Sequence, residues 1–139
     1  MIILDTNVLS ELTRAQPAAT VLAWLDALPA SEVATTAITA AELRYGVARL
    51  SEGARKSALA AAVQAILGED LAGRVHPFDA QAAVHYAELV THRERSGRPI
   101  NLPDAQIAAI CRAHQSVLAT RNINDFTDTG IELIDPWTT

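Results

Sequence analysis

Short, wholly apolar segments that end abruptly in polar residues are the feature that most restricts the fold of this chain. Met1–Leu4 is apolar at every position and stops at Asp5, and 117–120 leads in the same way into Arg121 and Asn122. A segment without polar alternation is typical of a parallel strand that is covered on both faces. Stretches with apolar residues at helical spacing lie between such segments, so the sequence predicts an α/β fold with a mostly parallel sheet flanked by helices.

Five strands and the helices between them can be placed from these patterns. We predict strands at 1–4, 32–36, 74–78, 117–120 and 131–134. We predict helices after the first strand to residue 12 and after the second strand to about residue 50, and further helices at 17–28, 54–67, 80–95 and 103–114. The 74–78 segment contains a proline and suits only an edge strand. At 139 residues the chain fits a single domain, 1–139, with its own core.

Composition excludes several classes of protein. The net charge of −5 argues against a wide basic surface that grips nucleic acid. A lone cysteine, Cys111, excludes an internal disulfide and a multi-cysteine zinc site. No apolar run approaches the roughly 18 residues that a membrane span needs, and the N-terminus lacks the pattern of a signal peptide. We therefore expect a cytoplasmic location and no membrane partner.

Each acidic residue near an element boundary has an ordinary structural explanation. Asp5 or Thr6 can cap the helix that follows the first strand. Glu42 follows Thr39 by three residues, which matches a capping box in which the glutamate returns to the threonine N–H. Asp104 lies in the first turn of its helix, where the helix dipole favours a negative charge. Taken singly, none of these residues requires catalysis.

The same polar residues share one position in the predicted topology. Asp5, Asn122 and Asp125 follow the carboxyl ends of strands, although the last two could merely serve turns. Glu42 and Asp104 lie near the N-termini of helices. In a parallel α/β sheet all these ends meet at one edge. Carboxylates that converge there would repel one another and raise one another's pKa values unless cations neutralised them.

A cluster of carboxylate oxygens suits Mg²⁺ or Mn²⁺, which bind substrate phosphate and keep several waters. The corresponding chemistry is metal-assisted hydrolysis of a phosphodiester, in which the ion activates a water and stabilises charge on phosphate oxygens. Two alternatives remain open. Asp5 could accept a phosphoryl group in another metal-dependent transfer enzyme, although Asn7 stands where a second acid would favour that reaction. The chain could also be a non-catalytic binding module whose acids only cap helices.

Four motifs occur in the order that is found in PIN-domain ribonucleases, and they most closely resemble the VapC and FitB type toxins of bacterial toxin-antitoxin pairs. The motifs are Leu4-Asp5-Thr6-Asn7, Ile38-Thr39-Ala40-Ala41-Glu42-Leu43, Leu102-Pro103-Asp104-Ala105-Gln106-Ile107-Ala108-Ala109 and Leu118-Ala119-Thr120-Arg121-Asn122. By this resemblance Asp5, Glu42 and Asp104 form an acidic metal site, and Thr6 and Thr120 are nearby hydroxyls. The resemblance extends over nearly the whole chain, to Ile134-Asp135-Pro136-Trp137.

The resemblance has further implications for fold and partners. It implies a three-layer sandwich with a five-stranded parallel sheet, an RNA substrate, and a homodimer. It also implies a VapB-like antitoxin that blocks the acidic pocket and carries the operator-binding domain, so that operator DNA is contacted only through the antitoxin. The chain departs from the family at Asn122, where many relatives have Asp. Asp125 is the candidate that could replace that fourth acid.

Few basic side chains are placed to contact a phosphate. Arg121, directly after the predicted strand, is the best placed and could form bidentate contacts. Three other arginines could extend a basic rim, although arginines usually lie on the solvated surface: Arg44, Arg98 and Arg112. We interpret Trp24 and Trp137 as packing or interface residues rather than as platforms for base stacking.

Overall fold

Five parallel strands form one sheet in the computed structural model, which describes residues 1–139. In chain order they are β1 (Ile2–Leu4), β2 (Val33–Thr36), β3 (Val75–His76), β4 (Val117–Ala119) and β5 (Leu133–Ile134). The order across the sheet is β3-β2-β1-β4-β5, and every neighbouring pair is parallel. The predicted parallel α/β sheet is confirmed, and the short β3 lies at an edge as expected.

Helices connect the strands at nearly the predicted positions. They are α1 (Thr6–Leu12), α2 (Ala19–Asp26), α3 (Ala37–Ala48), α4 (Ala54–Ala65), α5 (Ala80–Arg95), α6 (Leu102–Ala113) and α7 (Ile123–Phe126). A π-helical turn, Ile66–Asp70, extends α4 three residues beyond 67, where the predicted helix ends. None of these helices has the length and apolar character needed to cross a bilayer.

The apolar core lies on both faces of the sheet. Ile3 and Leu118 contribute to a cluster that includes the buried sides of α5 and α6. The next residues along the same strands, Leu4 and Ala119, belong to a second cluster with α1, α2, α3 and α4. Since side chains alternate between faces along a strand, a run without polar residues fills both clusters. The result is the expected three-layer arrangement of helices, sheet and helices.

The start of α3 differs from the predicted capping box. Thr36 is the N-cap, and its Oγ1 accepts the backbone N–H of Thr39 at 3.1 Å. Thr39 therefore lies inside the first turn, so its N–H is already satisfied and Glu42 has no capping role there. The carboxylate of Glu42 is left available for contacts outside its own helix.

Candidate functional site

A cavity of about 490 Å³ opens at the carboxyl edge of the sheet, beside the ends of β1 and β4. The strand order reverses between these two strands, which is where α/β sheets usually bind ligands. Three predicted carboxylates line the cavity: Asp5, Glu42 and Asp104. Three other predicted site residues line it as well: Thr6, Arg121 and Asn122. The structure therefore brings most of the predicted residues together.

Asp5 lies at the base of this cavity with only 4% of its surface exposed. One carboxylate oxygen caps α1 by accepting the Thr6 backbone N–H at 2.8 Å. The other accepts the hydroxyl hydrogen of Thr120 at 2.8 Å. The capping interpretation of Asp5 is thus confirmed, but capping uses only one of its two oxygens. Each carboxylate oxygen has two lone pairs, so both retain capacity for another ligand.

Thr120 is fully buried and joins the ends of the two central strands. Its Oγ1 accepts the side-chain amide of Asn7 at 3.3 Å and the backbone N–H of Asn122 at 3.0 Å. The side-chain carbonyl of Asn7 in turn accepts the backbone N–H of Arg121 at 3.2 Å. This network fixes the segment after β4 against the start of α1, and with it the position of Asp5.

Glu42 reaches the cavity from the second turn of α3, and its side chain is exposed. Its Oε1 accepts the hydroxyl hydrogen of Thr6 at 2.9 Å. Thr6 Oγ1 also lies 3.2 Å from Thr39 Oγ1, so a short row of hydroxyls leads to the carboxylate. Thr6 thereby connects the helix capped by Asp5 to the helix that carries Glu42.

Asp104 is half-buried at the start of α6 and forms a reciprocal pair with the N-cap Asn101. The side-chain carbonyl of Asn101 accepts the Asp104 backbone N–H at 2.9 Å, and the Asn101 amide donates to Asp104 Oδ2 at 2.9 Å. The pair resembles a capping box built from Asn and Asp. It orients one oxygen of Asp104, and Oδ1 makes no hydrogen bond within the chain.

Burial and mutual repulsion change the titration of these acids. Burial raises the pKa of Asp5 to about 6, and the charges of Asp104 and Glu42 act in the same direction. Hydrogen bonds from Thr120 and Thr6 oppose that rise in the pKa of Asp5. The pKa of Asp104 is also raised, mainly by burial, with smaller contributions from the charges of Asp125 and Glu42. The site thus destabilises its own negative charge, which a bound cation would relieve.

The donor set suits a hard divalent cation, since every candidate ligand is a carboxylate, hydroxyl or amide oxygen. No group of three or more His, Cys, Asp or Glu side chains is gathered closely enough to hold one metal ion. Mg²⁺ typically uses one or two carboxylates and fills its remaining positions with waters and substrate oxygens. Asp5 and Asp104 fit that pattern, and joint ligation by Glu42 stays a prediction.

Asn122 and Asp125, the two candidates for a fourth acidic position, occupy different places. Asn122 lines the carboxylate cavity, and its side-chain amide makes no hydrogen bond within the chain. Asp125 lies on α7 and borders a neighbouring cavity of about 340 Å³ together with Asp104. Asp125 therefore acts on Asp104 through its charge, while Asn122 occupies the cavity wall.

Several lining residues were not predicted from the sequence. Asn7, Ser10 and Glu11 lie on α1 and line the cavity, followed by Arg14 and, from the C-terminal segment, Trp137. Asn7, Ser10 and Glu11 are three and one residues apart within α1, and Asn7 lies on the same helical face as Ser10 and Glu11. These polar residues, on a helix that begins directly after the candidate acid Asp5, are the sequence signal that could have identified them. Arg14 lies beyond the end of α1. Trp137 had no comparable signal.

Three arginines considered for a basic rim lie outside the carboxylate cavity. They hydrogen-bond instead to neighbouring side chains, Arg44 to Gln64, Arg98 to Thr127 and Arg112 to Glu88. Arg98 borders the neighbouring cavity that Asp125 lines. Arg121 is the one predicted basic residue that lines the carboxylate cavity.

Residues 2–132 match the family model of the PIN domain. The chain belongs to the PIN-domain family. It is 42% identical over 137 residues to VapC ribonuclease Y4jK of Sinorhizobium fredii, and the match covers 99% of this chain and 98% of that relative. The toxin FitB of Neisseria gonorrhoeae is 40% identical, with 99% of each chain covered.

Solved structures of PIN-domain toxins have the same fold. The crystal structure of FitAcB from Neisseria gonorrhoeae superposes with a TM-score of 0.93 at 40% identity and full coverage of both chains. DNA-bound VapBC from Salmonella typhimurium gives a TM-score of 0.84 at 26% identity, with 97% of each chain covered. These relatives place this PIN domain among the VapC and FitB type toxins.

Proposed function

We propose that this PIN domain is the endoribonuclease of a type II toxin-antitoxin pair and hydrolyses RNA phosphodiester bonds with Mg²⁺ or Mn²⁺. The observation that carries the proposal is the single cavity lined by Asp5, Glu42 and Asp104, in which burial and repulsion raise the pKa values of both aspartates. Such a site favours a cation and, through it, a phosphate. The name of the Sinorhizobium fredii relative, a VapC ribonuclease, supports RNA as the substrate.

The metal-binding role falls to Asp5 and Asp104, with Glu42 on the same cavity wall. When bound, the ion would lower the pKa of a water and neutralise charge on the phosphate. The chain's own residues keep the ligands in place: Thr120 fixes Asp5, Asn101 fixes Asp104, and Thr6 fixes Glu42. These contacts preorganise the carboxylates before the substrate enters.

In the proposed reaction, the oxygen of one water bonds to phosphorus and the P–O ester bond on the opposite side breaks. The proton that the water loses is accepted within the cavity, and the leaving oxygen takes a proton from solvent water to become a hydroxyl. Glu42 is the best placed acceptor, because it is exposed to the cavity and only one of its oxygens accepts a hydrogen bond from the chain. Asn122, whose amide is free, can contact a phosphate oxygen or the attacking water.

The phosphoryl-transfer alternative has less support. A phosphoacceptor needs an accessible carboxylate oxygen, but Asp5 is 4% exposed and both of its oxygens already accept hydrogen bonds. The remaining lone pairs can bind a small cation more readily than they can attack a phosphate. The arrangement therefore favours Asp5 as a metal ligand over Asp5 as a nucleophile.

The partners follow from the relatives. Solved structures of FitAB and VapBC include complexes bound to DNA, so we propose that an antitoxin of that kind binds this chain and blocks the cavity. With a net charge of −5, the chain itself is a poor candidate for broad contact with operator DNA, which we assign to the antitoxin. A homodimer and a cytoplasmic location complete the proposal.

Cleavage of total RNA by the purified chain, with and without Mg²⁺, tests this function. We expect Asp104→Asn to reduce cleavage by at least about 100-fold, the scale of losing one preorganised electrostatic group, and to abolish thermal stabilisation by Mg²⁺. Glu42→Gln should reduce cleavage while leaving unfolding unchanged, because the glutamine carbonyl can still accept the Thr6 hydroxyl hydrogen. Glu132→Gln is the matched control, since this exposed glutamate adjoins a different cavity. Equal cleavage by all three variants would exclude the proposed role of the carboxylates.

A further inference from the structure

Arg121 and Trp137 form a second feature of the cavity wall, which we call the Arg121–Trp137 pair. Both residues line the cavity that contains the carboxylates. The guanidinium carbon of Arg121 lies 4.8 Å from the centre of the Trp137 ring. This is cation–π geometry, in which the guanidinium packs on the ring while its N–H groups remain available to a ligand.

Arg121 differs in its pairing from the other arginine of the cavity. Arg14 Nη1 contacts the Glu11 carboxylate at 3.2 Å. The guanidinium of Arg121 makes no hydrogen bond or ion pair within the chain, although the residue is exposed beside several acids. Five unused donors in a planar fork match the oxygens of a phosphate. Arg121 thus has the character of an anion-binding group without its anion.

Trp137 is fixed from two sides. Its backbone N–H donates to Asp135 Oδ1 at 2.9 Å, which forms a local turn. Its half-buried side chain packs against the apolar cluster that contains Leu4 and Leu9. Trp137 is also the only hydrophobic residue among those that line the cavity. An aromatic ring anchored in this way restricts where the flexible Arg121 side chain can lie.

The Arg121 backbone is fixed as well. Its N–H donates to the side-chain carbonyl of Asn7, and Asn7 belongs to the Thr120 network that positions Asp5. The guanidinium is therefore constrained at both ends, by its own main chain and by the Trp137 ring. Such preorganisation reduces the entropy lost when a ligand binds. It also fixes the guanidinium at a set position relative to the carboxylates.

We propose that Arg121, positioned by Trp137, binds a phosphate of single-stranded RNA next to the phosphate that the carboxylates bind. This subsite rests on the ribonuclease function proposed above, because an RNA strand that reaches Asp5 carries neighbouring phosphates into the same cavity. A substrate with a single phosphate, bound at the carboxylates, would have no second phosphate for Arg121 to contact. Arg121 is the binding residue of the subsite, and Trp137 is a positioning residue.

The test is equilibrium binding of a fluorescent single-stranded RNA oligonucleotide to the full-length chain at several NaCl concentrations. All proteins carry Asp104→Asn to prevent turnover. We expect Arg121→Gln to reduce the slope of log K against log salt by about 0.7, the value for one phosphate contact on a single strand. Arg121→Lys should keep the slope with weaker binding, because an ammonium lacks the planar fork. Arg49→Gln, on an exposed arginine at the end of α3, is the matched control and should change neither quantity.

The role of Trp137 is tested in the same assay. Trp137→Leu should weaken binding several-fold without changing the slope, because the charge of Arg121 remains but is no longer positioned. Trp137→Phe keeps an aromatic ring and should recover most of the affinity, and it serves as the second variant if the leucine variant is poorly folded. If Trp137→Leu and Trp137→Phe both bind the RNA as tightly as the parent with Trp137 does, Trp137 has no positioning role.

Two results would overturn the subsite itself. One is a salt slope for Arg121→Gln that matches the Arg49→Gln control. The other is unchanged RNA binding by Arg121→Gln combined with loss of antitoxin binding, which would assign the pair to a protein interface. A chain with Asp104 intact is assayed for RNA cleavage beforehand. If that chain neither cleaves nor binds RNA, the proposed function fails, and this outcome is distinct from a failure confined to Arg121.

Discussion

Thr120 donates its hydroxyl hydrogen to Asp5 at 2.8 Å, across 115 residues of sequence and between the ends of adjacent strands. The contact is buried, and the same oxygen accepts hydrogen bonds from Asn7 and Asn122. One hydroxyl therefore fixes the main candidate metal ligand and the segment that follows β4. This makes Thr120 a residue whose removal should affect both stability and the titration of the site.

Thr120→Val should destabilise the chain by about 1–3 kcal/mol, because it leaves the donors of Asn7 and Asn122 without an acceptor. The hydrogen bond from Thr120 lowers the pKa of Asp5, so its loss should raise that pKa further and shift the acidic limb of the cleavage profile to higher pH. Urea unfolding and a pH–rate profile measure the two effects. Thr120→Ser keeps the hydroxyl and should behave much like the parent; if it matches Thr120→Val instead, the hydrogen bonds are not the cause.

Asp5 gives the stability of the chain an unusual pH dependence. Because its pKa is raised to about 6, the folded state binds the proton more tightly than the unfolded state does. The contribution of Asp5 to the free energy of unfolding should therefore fall as pH rises between about 4 and 6, by at most about 1.4 kcal/mol per pH unit, and stay constant above that range. Asp5→Asn should flatten this part of the profile. An equally steep fall in the variant would assign the effect to other groups.

Divalent cations should restore the stability that the chain loses when Asp5 ionises. Below the pKa of Asp5 the carboxyl is protonated and a poor ligand, so thermal stabilisation by Mg²⁺ should be small at about pH 5 and larger at about pH 7. Differential scanning fluorimetry with and without EDTA measures the difference. The same titration on Asp5→Asn should show little stabilisation at either pH. Stabilisation of equal size at both pH values would indicate that the ion binds elsewhere.

The spacing of apolar residues, and the polar residues that end each apolar run, predicted most of the strands and helices. Contacts between segments distant in the sequence could not be predicted from such local patterns. The apolar runs located β1 and β4, and their ends located Asp5 and Thr120. The prediction for the cap of α3 is wrong because Thr36 and Thr39 each precede a plausible helix start, and only the tertiary structure selects between them. The four-residue α7 has no helical period to detect.

In the site, too, local patterns predicted the positions of the acids but not the contacts that these acids make. Its acids follow element boundaries, so topology alone brought them to one edge. Their hydroxyl and amide partners, such as Thr6 for Glu42 and Asn101 for Asp104, depend on side-chain geometry. The stacking of Arg121 on Trp137 joins two chain segments through a single contact and has no periodic signal. Contacts of this kind are determined by the folded arrangement rather than by local pattern.

Arg93 belongs to no sequence pattern that would single it out, yet it is a buried charge. It is 5% exposed, and its guanidinium donates to the backbone carbonyls of Arg98, Asp125 and Thr127 at 2.7, 3.2 and 2.9 Å. It therefore fixes α7 and the loop before α6 to α5. Because its charge also lowers the pKa of Asp104, it partly offsets the repulsion from Asp125.

Arg93→Met should cost about 1–3 kcal/mol of stability, because three backbone carbonyls lose their donor. The cost should appear in urea unfolding, and hydrogen exchange should become faster in residues 123–127. Arg93→Lys keeps the charge but cannot reach all three carbonyls, so we expect an intermediate value. A loss below about 1 kcal/mol for Arg93→Met would mean that these three hydrogen bonds contribute little to stability, since substitutions of exposed arginines typically cost no more than that.

Glu11 should give the opposite pH dependence from Asp5. Its carboxylate accepts the Ala18 backbone N–H at 2.8 Å and contacts Arg14, and these interactions, chiefly the first, lower its pKa. The stabilisation that Glu11 supplies is therefore present above its ordinary pKa and is lost as pH falls through the lowered value. Glu11→Gln should lower the melting temperature at neutral pH, and the difference from the parent should shrink toward zero in strong acid. A difference that persists undiminished at acidic pH would mean that packing of Glu11, rather than its charge, stabilises the turn between α1 and α2.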